Sequence, residues 1–189
     1  MRTEIRRLRR ALGITPIYVT HDQEEALAIS ERLAVRRAGR VEQVGFPWDV
    51  YQAPRSAFAA EFIGTSHMLT TTVVGTDGEW ARVDIVGWVL RARGADATAG
   101  QPVAVFRPEG VDRLPEGGDR PGATVGEAVV PSREFLGAIL RYRLWLADRS
   151  LIHLDEHGPD AARLRKEGER VRFAVRPADM MLLPTEARA

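Results

Sequence analysis

The sequence predicts a mixed α/β segment over residues 1–65 followed by an all-β, barrel-like domain over residues 66–189. Three observations carry that reading. Ile17-Tyr18-Val19 is a short apolar run of strand-forming residues that stops at His21 and turns at once into a capped helix. From about Ser66 the composition shifts toward Gly, Pro, Thr and Val, and short alternating segments replace helical spacing. Within that second part, Leu140, Tyr142, Leu144 and Leu146 alternate with Arg141, Arg143 and Trp145, so one face of a strand over Ile139 to Ala147 is core and the other meets solvent or a partner.

In chain order, Thr3 to Leu12 reads as an amphipathic helix, with Ile5, Leu8 and Leu12 on one face, Ala11 beside them and Gly13 as the stop. Arg2, Arg6, Arg7, Arg9 and Arg10 occupy its outer arc, which reads as a solvated face rather than a nucleic-acid site. Ile17 to Val19 is expected as a buried parallel strand. Asp22 is placed to accept from free amides of the next helix, with Glu25 three residues on completing a variant of the capping box. That helix, Gln23 to about Glu31, turns Ala26, Ile29 and Leu33 inward. Leu33 to Arg37, a Gly39 turn and Val41 to Val44 read as a hairpin. Pro47 opens a short helix through Trp48 and Tyr51 that ends before Pro54. Ser56 caps another, with Phe58 and Phe62 at i,i+4 and Gly64 closing it.

In the second part, Thr71 to Val74, Trp80 to Val86 and Trp88 to Arg93 are predicted strands, with Asp77-Gly78 as a turn. Pro102 to Arg107 is another, and Leu114 to Gly122 is expected to be a polar loop with no means of packing. Strands resume at Thr124 to Val130, Ser132 to Leu136, Ile139 to Ala147, Leu151 to Leu154, Arg170 to Arg176 and Met180 to Leu183. Leu164 to Gly168 is a polar turn. An internal echo links Val105-Phe106-Arg107-Pro108-Glu109-Gly110-Val111 with Ala174-Val175-Arg176-Pro177-Ala178-Asp179-Met180: each is a strand ended by Pro and followed by a short apolar step.

Composition excludes several classes. The net charge is +1 with 28% charged residues, so no global field draws the chain to nucleic acid or anionic lipid. There is no cysteine, hence no disulfide or thiolate metal site, as a reducing cytoplasm allows. No apolar run approaches the ~18 residues that span a bilayer, and the N-terminal residues lack a signal-peptide pattern.

The stretch Val19-Thr20-His21-Asp22-Gln23-Glu24-Glu25-Ala26 resembles the switch-histidine segment of the ATP-binding subunits of ABC importers. The likeness continues through Ile29 to Val35, Ala38 to Gly45, Pro47, Tyr51, Pro54 and Phe62-Ile63-Gly64. With Glu134-Phe135-Leu136-Gly137 and the strand after it, the echoed pattern looks like the transport-associated OB-type (TOBE) domain at the C-terminus of such subunits. The resemblance implies an incomplete P-loop, ABC-type nucleotide-binding segment over 1–65 and an OB-like TOBE barrel over 66–189. It departs from the pattern at Ser66-His67, where many relatives carry Ser-Asn, and at Ala178, where the first echo has an acidic residue.

The same resemblance implies that His21 contacts the γ-phosphate of ATP and the attacking water, with ATP and Mg as cofactors of the full-length family. Transmembrane permease subunits, a second ATP-binding subunit and, indirectly, an external solute-binding protein are the implied partners. The implied location is cytoplasmic, peripheral on the inner face of the plasma membrane. The chain has no G-x-x-x-x-G-K-[ST] loop, no Leu-Ser-Gly-Gly-Gln signature and no apolar strand ending in Asp-Glu. All three precede the switch histidine in the family, so the chain is expected to be a C-terminal piece that does not hydrolyse or tightly bind ATP alone. Without the neighbouring strands, residues 14–45 are expected to leave an apolar sheet face or edge uncovered.

Of the other candidates, Asp22 and Gln23 shape the turn and the contact with the opposite cassette. Glu24 and Glu25 are adjacent on a helix and splay apart, which disfavours an acid/base dyad. Arg107 and Arg176 could bind an anion, but a strand-end arginine on a carbonyl or carboxylate is the plainer reading. Arg141, Arg143 and Trp145 could form a stacking platform for a single-stranded nucleic acid, a weaker reading that leaves no nucleic acid among the expected partners. His67, His153 and His157 lack metal-ligand spacing, and no metal site is expected. The alternative function is a stand-alone regulatory or small-ligand-binding OB-like module with a vestigial cassette arm. The transported solute is open.

Overall fold

The computed structural model describes Glu4, Arg7 and residues 11–94, 101–115 and 117–184. Its contacts divide the chain into two compact units, Met1–Thr65 and Ser66–Ala189.

In the first unit the helix begins where the sequence places it. α1 (Gln23–Ile29) is capped by Asp22, whose carboxylate accepts from the Glu25 amide at 2.9 Å. The reciprocal half of the box does not form: the Asp22 amide donates to Thr20 Oγ1 at 3.0 Å instead. β1 (Leu33–Arg37) and β2 (Arg40–Gly45) pair antiparallel around Ala38 and Gly39, both at positive φ, as the two-residue primed turn requires. α2 (Pro47–Gln52) starts on its proline, and α3 (Ala57–Phe62) is capped by Ser56 Oγ accepting from the Ala59 amide at 3.1 Å. Phe58 and Phe62 stack at 5.6 Å between centroids. Leu33, Val35, Val50, Ala59 and Ile63 form a small core. Gln43 is buried in this unit and pins the chain after α2, donating to the Ala53 carbonyl at 3.1 Å and accepting from the Arg55 amide at 2.9 Å.

Two expectations for this unit are corrected. Ile17 to Val19 is irregular rather than a strand, and it is not buried: Ile17 is 92% and Val19 88% exposed. Its pattern asks for a covered sheet position, and the described residues of the unit supply no strand to pair with it. The only sheet among them is the β1–β2 hairpin, so the parallel α/β layer is not formed. Of the N-terminal helix, Glu4, Arg7, Ala11 and Leu12 are helical. Ile5, Leu8, Arg2, Arg6, Arg9 and Arg10 lie outside the described residues. Leu12, expected on the inner face, is 65% exposed.

The second unit is all-β apart from single 3₁₀ turns. β3 (His67–Thr70), β4 (Thr72–Asp77), β5 (Trp80–Ile85), β6 (Trp88–Arg93), β7 (Val103–Phe106) and β13 (Met181–Leu183) make a six-stranded sheet in the order β3-β7-β13-β6-β5-β4. β8 (Val111–Leu114), β9 (Thr124–Phe135), β10 (Ile139–Trp145), β11 (Leu151–His157) and β12 (Arg170–Val175) make a five-stranded one in the order β11-β10-β9-β12-β8. The ends of the second sheet meet, because Arg113 of β8 reaches Glu156 of β11 at 2.6 Å. The sheet therefore curls toward a closed barrel. The inner faces share one core in which Tyr142, Phe106, Phe173, Leu144, Ile152, Leu154 and Met180 are fully enclosed.

The internal echo is a structural repeat. β7 leads through the 3₁₀ turn Pro108–Gly110 into β8, and β12 leads through the 3₁₀ turn Pro177–Asp179 into β13. Each arm passes from one sheet to the other, in opposite senses, so β7 pairs antiparallel with β13 and β8 with β12. Three readings of this unit change. Residues 124–135 form one strand, not two: Val129 pairs with both Arg170 and Trp145, and Pro131 sits at the irregularity opposite Leu144 where a missing amide is tolerated. β3 and β8, four residues each, were not expected as strands. The loop after Leu114 does have packing partners, since Arg120 pairs with Asp112 and Arg172 donates to the Gly118 carbonyl at 2.7 Å. Among the described residues, no helix is long and apolar enough to cross a membrane.

Candidate functional site

The His21 turn is built from both sides. On the amino side, Thr20 Oγ1 accepts from the Asp22 amide and donates to Glu25 Oε2 at 3.3 Å. On the carboxyl side, Asp22 holds the Glu25 amide, and its carbonyl accepts from Ala26 at 3.0 Å to open the helix. Glu25 is only 9% exposed, and its Oε2 also accepts from Tyr18 Oη at 2.8 Å. That bond, with the nearby negative charge, raises the Tyr18 phenol above its ordinary value. Gln23 Oε1 accepts from the Gly64 amide, which ties the first turn of α1 to the end of α3. Glu24, next to Glu25, is exposed on the other side of the helix, so the two carboxylates do splay apart.

His21 therefore projects into solvent from backbone that is fixed on both flanks, and its ring takes no hydrogen bond among the described residues. Such an imidazole can give or take one hydrogen bond at an oxygen delivered by another segment. Of the amides at the helix entrance, that of Glu25 is taken by the protein's own Asp22 carboxylate. These residues fit one side-chain contact of a nucleotide site, from His21. Among the described residues, no group of three or more His, Asp or Glu side chains is placed to hold a metal ion.

In the barrel, the sequence candidates are mostly engaged. Arg107 is buried and donates to Ser66 Oγ at 2.6 Å, while its counterpart in the repeat, Arg176, donates to Asp179 at 2.5 Å. Arg141 makes a two-pronged pair with Asp155, both bonds 2.7 Å, which raises the guanidinium further. The face of Trp145 is covered by Arg149 at 5.0 Å. Arg141, Arg143 and Trp145 do share the outward face of β10, but Arg141 and Trp145 are committed to neighbours, which removes the open stacking platform. Sequence reasoning assigned nothing to His67. It is 5% exposed, with Nε2 against the backbone of His153, and desolvation holds it down to about 4. The roles of Tyr18 and Thr20 were also missed, and no local pattern marks them, because the burial of Glu25 exists only in the fold.

Residues 103–183 match the family described as the TOBE domain. Among solved structures, the fold is similar to that of the cytoplasmic molybdate-binding protein ModG, in a crystal form with molybdate bound. The TM-score is 0.54 at 20% identity, over 63% of this chain and 96% of that one, a likeness of fold alone. The fold of the second unit is accordingly that of TOBE-type, OB-like barrels.

Over its whole length the chain is a relative of the ATP-binding subunits of ABC importers. It is 37% identical over 189 residues, 97% of this chain, to the spermidine/putrescine import ATP-binding protein PotA of Thermobifida fusca. It is 43% identical over 108 residues, 57% of this chain, to the Fe(3+) ions import ATP-binding protein FbpC of Rhizobium etli. The chain spans 48% of the first relative's length and 31% of the second's.

Proposed function

We propose that this chain is the C-terminal part of the ATP-binding subunit of an ABC importer and serves to couple ATP hydrolysis to solute uptake. Residues 1–65 are the end of the nucleotide-binding domain, with His21 as its phosphate-facing histidine. Residues 66–189 are a barrel for regulation and subunit dimerisation. ATP and Mg are held mainly by residues outside this chain, which has no activity by itself. Its partners are permease subunits at the inner face of the plasma membrane and a second ATP-binding subunit, with a solute-binding protein acting through the permease. The observation that carries this reading is the likeness at 37% identity across both units, from the His21 turn to the barrel.

The test is a chimera. The part of the Thermobifida fusca relative that precedes the matched region is fused to residues 1–189, and ATP hydrolysis is measured with and without His21→Ala. Hydrolysis by the chimera, lowered roughly 100-fold by His21→Ala with nucleotide binding retained, is the expected result. Hydrolysis that is indifferent to His21→Ala overturns the assignment.

A further inference from the structure

Four side chains around His21 are tied together, and His21 is the one left projecting outward. Glu25 Oε2 collects a hydrogen bond from Tyr18 Oη at 2.8 Å and one from Thr20 Oγ1 at 3.3 Å. The same Thr20 oxygen accepts from the Asp22 amide at 3.0 Å, and the Asp22 carboxylate returns to the Glu25 amide at 2.9 Å. The circuit Glu25–Thr20–Asp22 closes on itself around residue 21, with Tyr18 joined to it through Glu25. It joins the first turn of α1 to the irregular segment that precedes it.

An apolar strand fixes its own last residue through ladder hydrogen bonds. Among the described residues no strand pairs with residues 17–20, and beside any such ladder the direction in which His21 leaves the chain depends on what binds Tyr18 and Thr20. The group that does so is Glu25, a carboxylate that is almost fully buried on a helix whose neighbouring Glu24 faces outward. A buried carboxylate needs its bonds, and here both side-chain donors come from the segment that carries His21. A helix cap alone would need Asp22 and leave the side chain at position 25 unconstrained.

We infer that Glu25, with Tyr18 and Thr20 as its donors, is a positioning residue that sets the direction of the His21 imidazole. The inference rests on the reading of His21 given above. Glu25 touches no reacting group; it acts through the turn. Catalytic hydrogen bonds lose effect steeply with misplacement, so loosening the turn lowers turnover more than it lowers nucleotide affinity.

Two experiments separate this inference from the reading it rests on. On the 189-residue chain, amide exchange is followed for Asp22 and Glu25 in the wild type, Tyr18→Phe, Glu25→Ala and Glu25→Gln. Exchange at these two amides roughly tenfold faster in Tyr18→Phe and Glu25→Ala is expected. Glu25→Gln, which still accepts from both hydroxyls, is expected to recover most of the protection, with the β1–β2 amides unchanged throughout. Unchanged exchange at Asp22 and Glu25 overturns the inference whatever the chain's function. If Glu25→Ala unfolds the unit, the milder Tyr18→Phe still decides.

In the chimera, Tyr18→Phe is expected to lower kcat several-fold with KM for ATP held, and to add nothing once His21 is alanine. Additive effects in that cycle overturn the positioning role. A chimera in which His21→Ala changes nothing, while the exchange result holds, overturns the function and leaves the circuit as a purely local device.

Discussion

His67 Nε2 lies 3.1 Å from the backbone nitrogen of His153 and 3.0 Å from its carbonyl oxygen, and the two imidazoles meet edge to face at 5.5 Å. The first strand of the barrel unit is thereby attached to β11. The ring is packed under Phe106 and held to about 4 by desolvation and then by His153, with Arg141 also opposing its charge and Asp155 favouring it. His153 is lowered as well, first by desolvation and then by Arg141. A base with a depressed folded pKa binds fewer protons folded than unfolded. The stability it contributes is therefore whole above about 6.5 and is lost as pH falls toward 4. Urea unfolding of the barrel at pH 7 and pH 4 should differ by on the order of 3 kcal/mol from His67 alone. His67→Phe should flatten that slope, and an unchanged slope in the variant would remove His67 as its source.

Asp155 presents both carboxylate oxygens to Arg141, and its side chain is 8% exposed against 26% for the arginine. Replacing Asp155 by Asn breaks the charge pairing and leaves a largely enclosed guanidinium, a cost of about 2 kcal/mol in unfolding free energy. Arg141→Met in the Asp155→Asn background should recover part of it. A loss under 0.5 kcal/mol, within the range of a solvent-screened pair, would show that the bond is maintained only loosely.

Gly126 is required by close approach rather than by backbone angle. A Cβ there would stand 2.8 Å from Phe173 Cζ and 2.9 Å from Trp88 Cζ2. Neither ring can yield easily, since they pack edge to face at 4.9 Å and Trp88 Nε1 donates to the Val125 carbonyl at 3.0 Å. Gly126→Ala should destabilise the barrel by roughly 1–3 kcal/mol. Val86 is the opposite case. It is a β-branched residue at φ 58 in the two-residue turn Val86–Gly87 between β5 and β6, and its side chain is largely exposed. Val86→Asn should stabilise by roughly 1 kcal/mol. A scan of thermal unfolding for both variants tests the pair, and a destabilising Val86→Asn would mean that its side chain contributes packing.

These contrasts show which parts of the structure local pattern carries. The alternation at Leu140, Tyr142, Leu144 and Leu146 marks core directly, because each residue's burial follows from its own face of the strand. The caps at Asp22 and Ser56 are equally local. Pairing is not local. Pro131 reads as a break, yet β9 passes through it because its two halves pair with β12 on one side of the proline and β10 on the other. Ile17 to Val19 carries the composition of a buried strand, and composition cannot supply a neighbour to pair with. For the site, the Asp22 cap was legible from spacing and His21 was singled out by a family resemblance, whereas the bond between Tyr18 and Glu25 joins residues seven apart only because the chain doubles back onto α1.

That bond can be read directly in a titration. The Glu25 carboxylate accepts a hydrogen bond from the Tyr18 phenol, and its charge opposes phenolate formation, so Tyr18 is held above the ordinary tyrosine range. An acid whose folded pKa is raised adds stability that is present below about 10 and is lost as pH climbs through the raised value. The chain has three tyrosines, so the Tyr18 component is isolated as the difference in phenolate absorbance between wild type and Tyr18→Phe. It should titrate above 10, and Glu25→Ala, which removes the hydrogen-bond acceptor and the charge together, should bring it back toward the ordinary value. Glu25→Gln, which keeps the acceptor and removes only the charge, should bring it back only part of the way, because the hydrogen bond is the larger cause. A Tyr18 that titrates at the ordinary value with Glu25 in place would mean that the phenol and the carboxylate are apart in solution, and the positioning of His21 would then fall with it.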